Sequence, residues 1–489
     1  HSGVFFQTGF ANPIDRSICD KGTFDTSGIE KLDEIPYDFI RKRLSVRLQE
    51  NGQKLLITKG ALANVLECCT LAEAAAGGAV CLQTHRAEID RQFADMSAQG
   101  LRVLGLAVKV DDAPHLTKAD EHSMTFVGFL VFADPPKADA KQTLEELRDL
   151  GVGLKVITGD NKAVAESISH RIGIASPVIV TGSDMRALAD DALVQRAKEA
   201  DIFAEVEPNQ KERIILALKH SGQVVGYLGD GINDAPSLHT ADVGISVAGA
   251  VDVAKQAAAM IMLEHDLKVL HAGVIEGRRT FGNVMKYIMM ATSSNFGNMF
   301  SMAASTLFLP FLPLLPLQIL LNNLLYDLSE ITLPMDNVDR EDLAQPSQWD
   351  MNFIRNFMMT IGPISSVFDF VTFYLLIAVF DADETLFRTG WFVESIATQV
   401  LVIFIIRTRR NPCSSHPNRW LTVTSLSIVA IAMLLPLSPL AEYLGFTPLP
   451  VLFFGLLTVL ICAYLLAVEY CKQWFYRRLN NLPRKPFNA

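Results

Sequence analysis

The chain has 489 residues, half of them apolar, and a net charge of −10. That length allows two to four domains, the apolar share exceeds that of an ordinary soluble protein, and the acidic balance leaves no broad basic face for nucleic acid. Seven cysteines, odd in number and without a CxxC pair, read as reduced thiols and exclude a disulfide frame or a zinc site.

The first residues, "HSGVFFQTGF", have no basic region followed by an apolar run, so no signal peptide is expected. They also lack an initiator Met, and the chain is expected to begin inside a larger protein. Residues 1–125 mix strand runs ("LSVRLQ", "QKLLITKG", "LRVLGLAVKV") with helices and read as an α+β domain. Over 126–270, short apolar runs at 126–134, 154–160, 177–182, 201–206, 223–230 and 243–247 read as buried strands. Amphipathic helical stretches such as "KADAKQTLEELRDLG" separate them. That alternation predicts a doubly wound parallel sheet.

The composition changes near residue 285. Six apolar stretches of bilayer-spanning length follow, at about 287–309, 314–335, 357–380, 391–406, 420–437 and 449–469. The loop "RTRRNPCSSHPNR" and the tail "CKQWFYRRLNNLPRKPFNA" are basic and are expected on the cytoplasmic side. The loops "DADETLFRTG" and "LSPLAEYLGFTP" hold only Arg388 and are expected outside. An even number of spans leaves the soluble part and the tail on one side.

Two strand ends carry phosphate chemistry. "VITGD" closes with Thr158, Gly159 and Asp160, and "GYLGDGIND" with Asp230 and Asp234. Sites in open parallel sheets form at the carboxyl ends of strands. A hydroxyl and a glycine amide can hold phosphate oxygens there, and two carboxylates can hold Mg²⁺, which shares its oxygen ligands with phosphate. Lys211, opening a helix in "EVEPNQKERI", can reach the same phosphate as a point charge.

"TGDN", "FAEVEPNQK" and "GDGINDAPSL", followed by six spans, resemble the carboxyl-terminal half of a P-type ATPase. The resemblance covers nearly the whole chain and extends to "NPID", "EIPYDFIRKRLSV", "TKGA", "GLRVLGLAVK" and "DPPK". It implies a nucleotide-binding domain over 1–125, the carboxyl-terminal part of a phosphorylation domain over 126–270, and a transmembrane domain over 271–489. The implied fold is an incomplete haloacid-dehalogenase-like doubly wound sheet with an α+β nucleotide-binding domain and a six-helix membrane bundle. It implies ATP and Mg²⁺ as cofactors, with Tyr37 stacked on adenine where the family usually has Phe. Lys42 and Lys59 would line the pocket and Arg102 would reach the phosphates. The family's phosphoryl-accepting aspartate stands in "DKTGT". "CDKGT" at Cys19 looks like it with a residue deleted, but follows "NPID", so Asp20 reads as a surface residue. The acceptor, the actuator domain and four further spans are expected in an amino-terminal portion of the same pump, and this chain alone is not expected to turn over.

Polar groups inside spans are costly and usually functional. Asn295 and Asn298 lie one turn apart in the first span, Asn323 and Asp327 one turn apart in the second. One carboxylate among amides suits Mg²⁺, and calcium pumps carry Glu in place of Asn298. Glu330, Asp369 and Glu394 are left without a role. The wording "SSNFGNMFS", "NNLLYDLSEITLPMDNVD", "GPISSVFDF" and "TGWFVE" most resembles the bacterial magnesium-transporting P-type ATPases, which implies Mg²⁺ import across the inner (plasma) membrane with soluble domains in the cytoplasm. A pump for calcium or another cation remains open. So does a membrane-tethered haloacid-dehalogenase-type phosphatase, though no nucleophilic aspartate is visible for it, or an inert fragment. The partners expected are ATP, Mg²⁺ and the lipid bilayer.

Overall fold

A computed structural model describes residues 18 and 28–480, apart from 39, 51, 75–76, 112–114, 138 and 265. Asp20 and the "NPID" stretch lie outside the described residues. The chain divides into two compact units, His1–Glu145 with Gly153–His265, and Glu146–Val152 with Asp266–Ala489.

The first unit opens with a seven-stranded sheet. Its strands are β1 (Ile29–Asp38), β2 (Arg43–Glu50), β3 (Gln53–Ala61), β4 (Cys69–Glu73), β5 (Ala79–Cys81), β6 (Leu101–Val110) and β7 (Met124–Ala133), in the order β1-β2-β3-β6-β7-β4-β5. Only β4 and β7 pair in parallel; the other pairs are antiparallel. The run 126–134, expected among the doubly wound strands, therefore sits in this mixed sheet. Leu56, Val65, Met124 and Phe126 form its core, and helix α1 (Leu82–Ala98) contributes Leu82 and Ile89.

In β2 the pleat separates two kinds of burial. Leu44, Val46 and Leu48 face one way into an apolar cluster. Ser45 and Arg47 face the other way and are buried by polar partners. Glu121, with a fully buried side chain, accepts two bonds from Arg41 at 2.6 and 2.8 Å, one from Arg43 at 2.8 Å and one from Ser45 at 2.7 Å. Burial opposes its ionisation, but these donors outweigh it and hold the carboxyl below its ordinary range. The folded pKa lies below the unfolded one, so the stabilisation is complete above the usual glutamate value of about 4.3 and disappears as pH falls through the folded value. Glu121→Ala should destabilise this unit by about 3 kcal/mol at neutral pH, because two guanidinium groups lose their buried partner. Urea denaturation at pH 7 and pH 3 checks this, with a smaller gap between variant and parent at the lower pH.

The rest of the unit alternates short strands with helices, as expected. Strands β8 (Val156–Ile157), β9 (Ile179–Thr181) and β10 (Ile202–Ala204) form one parallel sheet in the order β8-β10-β9. Strands β11 (Gly226–Leu228), β12 (Val243–Val247) and β13 (Met260–Met262) form another in chain order. Helix α2 (Lys162–Arg171) follows β8, and α3 (Pro208–His220) follows β10. Helix α2 is capped by Asn161, whose side chain accepts from Val164 N at 2.9 Å. Strand β13 was not foreseen.

In the second unit, four apolar helical segments among the described residues are long enough to cross a bilayer: Met351–Val379, Glu384–Ile406, Arg419–Leu437 and Val451–Arg478. They contain helices α6 (Met351–Tyr374), α7 (Glu384–Leu401), α8 (Arg419–Leu434) and most of α9 (Val451–Asn480). The two remaining expected spans fall on α4 (Leu267–Ser305) and α5 (Pro316–Glu330). Helix α4 has 39 residues but carries Glu276, Arg278 and Arg279 in its first half. Helix α5 has 15 residues, about 22 Å, and ends before a 3₁₀ turn at Leu333–Met335 that holds Pro334.

Helix α7 is the centre of the bundle: Trp391, Phe392, Val393, Ile396 and Val400 are all at most 1% exposed. Helices α4 and α6 approach closely at Gly297 and Gly362; a Cβ on Gly297 would stand 3.0 Å from the Gly362 carbonyl. An ion cluster closes one end. Asp336 accepts from Lys286 at 2.7 Å, Arg407 at 2.8 Å and the Asn418 amide at 3.0 Å. It ties α4 and the turn after α5 to the basic loop between α7 and α8.

Candidate functional site

The first unit gathers the phosphate motifs into two clusters. Thr158 follows β8, its amide bonded to the Phe203 carbonyl at 2.9 Å. Its hydroxyl donates to Asp160 at 3.0 Å, and Asp160 also takes a bidentate bond from Arg102 at 2.8 and 2.8 Å. Gly159 beside them is exposed. Asp160 stands just ahead of α2, where its loop is pinned by the Glu205 amide on the Asp160 carbonyl at 2.8 Å.

The second cluster follows β11. Asp234 is 7% exposed. Its Oδ1 accepts from Lys211 Nζ and from the Tyr227 hydroxyl, each at 2.7 Å, and its Oδ2 from the Gly231 amide at 2.9 Å. Burial opposes its ionisation, but Lys211, Tyr227 and the Gly231 amide prevail and keep the carboxyl low. Burial and the facing carboxylate push the Tyr227 phenol up. Gly229 has no room for a side chain, since a Cβ there would meet Asp234 at 2.7 Å. Asp230 is exposed, and its carboxylate has no hydrogen-bond or ion-pair partner among the described residues.

Lys211 and Asp234 are thus in direct contact, as two of the expected site residues. Arg102, expected to reach nucleotide phosphates, pairs with Asp160 in this structure. Tyr227 was missed, although its place in "GYLGD" two residues before the turn was visible. Among the described residues, no group of three or more His, Cys, Asp or Glu side chains could hold a metal alone. An unpartnered carboxylate at Asp230, four residues before the fixed one at Asp234, nevertheless fits Mg²⁺, which takes one or two carboxylates and completes its shell with phosphate oxygens and water.

Tyr37, Lys42, Lys59 and Arg102 come to one end of the mixed sheet. There β1 and β3 finish while β2 and β6 begin. Tyr37 is 49% exposed, Lys59 is buried on β3, and Lys42 turns the chain at φ +52°.

In the second unit the four expected ion residues do not converge. Asn295 is exposed on α4, and Asn323 and Asp327 lie on an exposed face of α5. The buried stripe of α5 is Gln318, Asn322, Tyr326, Ser329 and Glu330. Asn298 joins a polar cluster that was not foreseen. Its Oδ1 accepts from Ser395 at 3.4 Å, and Ser395 takes bonds from Asn322 at 3.3 Å and Gln399 at 2.5 Å. Asp369 accepts from Ser301 at 2.5 Å and from the Trp391 indole at 2.9 Å, with Glu394 against it.

Two family descriptions match the chain: "P-type ATPase, cytoplasmic domain N" over residues 23–139 and "Cation transporting ATPase, C-terminus" over 311–474. The chain is 42% identical over 490 residues to "Magnesium-transporting ATPase, P-type 1" of Escherichia coli K12, covering 97% of this chain and 54% of that protein. The same identity holds over 488 residues with the protein of that name from Salmonella typhimurium LT2, with the same coverage. "Calcium-transporting ATPase" of Bacillus subtilis is 27% identical over 451 residues, 88% of this chain and 51% of its own length. The chain spans about half the length of the curated relatives it matches. Its sequence, both family matches and its apolar helices agree: the chain belongs to the P-type cation-transporting ATPases.

Proposed function

We propose that this chain is part of an ATP-driven pump that imports Mg²⁺ into the cytoplasm. Residues 1–125 together with β7 bind the nucleotide at the sheet end carrying Tyr37, Lys42 and Lys59. The remainder of 126–270 is a haloacid-dehalogenase-like phosphorylation domain. Residues 271–489 cross the inner membrane six times, the latter half of α4 and α5 forming the first two spans. The observation that carries the reading is the Lys211–Asp234 pair, in the same loop after β11 as the unpartnered Asp230. Lys211 and Asp234 hold one another in place, so the ammonium stands ready for a phosphate oxygen without searching rotamers. Asp230 and Asp234 would hold a resident Mg²⁺, whose chemistry there is to neutralise phosphate oxygens during transfer. Arg102 is positioned to exchange Asp160 for a nucleotide phosphate. The magnesium name of the relatives at 42% identity, against 27% for the calcium one, favours Mg²⁺ as cargo.

The test is growth of a Mg²⁺-uptake-deficient bacterium carrying the protein in its natural length. Growth restored at low Mg²⁺ supports the proposal. Failure to restore growth, with Ca²⁺-stimulated ATPase activity in the purified protein, supports a calcium pump instead.

A further inference from the structure

Tyr37 and Lys42 stand at the two ends of the turn from β1 to β2. Lys42 takes φ +52°, a conformation that residues with side chains seldom adopt. Its carbonyl accepts from the Ala61 amide at 2.9 Å, and the turn lies so close to β3 that a Cβ on Gly60 would stand 2.4 Å from that carbonyl. The Lys42 ammonium has no hydrogen-bond or ion-pair partner among the described residues.

What fixes this turn is a side chain from far along the chain. Arg41 holds the backbone on both sides of Tyr37: Nη2 donates to the Pro36 carbonyl at 2.8 Å, and Nε donates to the Asp38 carboxylate at 3.1 Å. Its Nη1 donates to both oxygens of Glu121, 80 positions away, at 2.6 and 2.8 Å. Arg43, on the other side of Lys42, donates to Glu121 from Nε at 2.8 Å and to the Asn64 carbonyl from Nη1 at 2.9 Å. Glu121 therefore grips the residues before and after Lys42 directly, and the residues before and after Tyr37 through Arg41. Only a guanidinium, with its planar fork of donors, serves three acceptors in this way.

The charges around the turn suit a site for an anion. Arg41, Arg43 and Lys118 face Asp38, Glu67 and Glu121, three cations against three carboxylates, so the frame is neutral and Lys42 sets the sign of the turn. Glu121 is 5% exposed and enclosed by its donors, so it anchors the frame without presenting a carboxylate to a phosphate.

We infer that Glu121 is a positioning residue of the nucleotide site: through Arg41 and Arg43 it sets where Tyr37 meets the base and Lys42 the phosphates. This rests on the proposed nucleotide site at that end of the sheet. Glu121 itself does not touch ATP.

The experiment measures binding of radiolabelled ATP to the natural-length protein by equilibrium dialysis, without Mg²⁺ so that no phosphoryl transfer occurs. Arg41→Lys keeps the charge but cannot serve Pro36, Asp38 and Glu121 at once, and should weaken ATP binding at least about tenfold. Glu121→Gln, which keeps the shape and removes the charge, should do the same. Acetyl phosphate, a phosphoryl donor without a base, reads the phosphorylation domain separately, and both variants should be labelled from it as well as the parent. ATP affinity unchanged in Arg41→Lys overturns the inference. So does loss of acetyl-phosphate labelling in Glu121→Gln in proportion to its loss of ATP binding, since the carboxylate then acts on the fold alone. Tyr37→Ala and Lys42→Ala separate the two claims. ATP affinity unchanged in both defeats the nucleotide site and this inference with it. Affinity lowered in both, but not in Arg41→Lys or Glu121→Gln, defeats the positioning role alone.

Discussion

Asp230→Asn and Asp234→Ala, made in the natural-length protein, should both reduce Mg²⁺-dependent phosphorylation by ATP at least about a hundredfold, yet differ in stability. The Asp234 carboxylate receives Lys211, Tyr227 and the Gly231 amide. Its removal strands a half-buried ammonium and a buried phenol, a loss of about 3 kcal/mol by the cost of breaking such pairs. Asp230 is exposed and unpartnered, so its amide variant should unfold within about 0.5 kcal/mol of the parent. Nucleotide binding should persist in Asp230→Asn, because Tyr37, Lys42 and Lys59 lie at the end of another sheet. Phosphoenzyme labelling with radioactive ATP, paired with thermal unfolding, separates the two effects. Full labelling in Asp230→Asn would falsify its role in holding Mg²⁺.

Much of the first unit was legible because its strands end in chemistry. Short apolar runs stopped by Thr-Gly-Asp or Gly-Asp-Gly mark the carboxyl ends of parallel strands, and β8 and β11 stand there. Their lengths were overstated: the run 154–160 contains a strand of only Val156–Ile157, since the chain leaves the sheet as soon as the site loop begins. The partner of β7 was not legible. A continuous apolar run fits a strand covered on both faces in either a parallel or a mixed sheet, and only pairing with β6 and β4 decides. The Arg102–Asp160 contact joins residues 58 positions apart, beyond any local pattern.

In the second unit, hydropathy located the apolar stretches but not their faces. "NNLLYD" offers two adjacent asparagines, and one residue of rotation decides which is buried. Gln318, Asn322, Tyr326 and Glu330 recur every four residues and form the packed stripe, so Asn322 turns inward and Asn323 outward. Hydropathy also counted 314–335 as one span, although Pro334 ends regular helix geometry beyond Glu330. It separated 287–309 from what precedes it, whereas no proline interrupts α4 after its Asp266 cap.

Asp327→Asn should abolish transport while leaving nucleotide binding intact. Asp327 and Glu330 both line a cleft between α4 and α5, and these are the carboxylates that α5 carries. Removing one of two carboxylate charges weakens divalent binding more than loss of an amide, which a water can replace. Asn298 sits instead in the cluster with Ser395, Asn322 and Gln399, away from Asp327, so Asn298→Ala should be milder.

The most direct measurement is ion movement itself. The natural-length protein, reconstituted into liposomes with a Mg²⁺-sensitive dye, receives ATP on the side of its soluble unit. The account predicts Mg²⁺ delivered to that same side, dependent on ATP, absent in Asp230→Asn and Asp327→Asn, and not replaced by Ca²⁺ under the same gradient. ATP-driven movement of Ca²⁺ without Mg²⁺, or Mg²⁺ movement undiminished in Asp327→Asn, would contradict it.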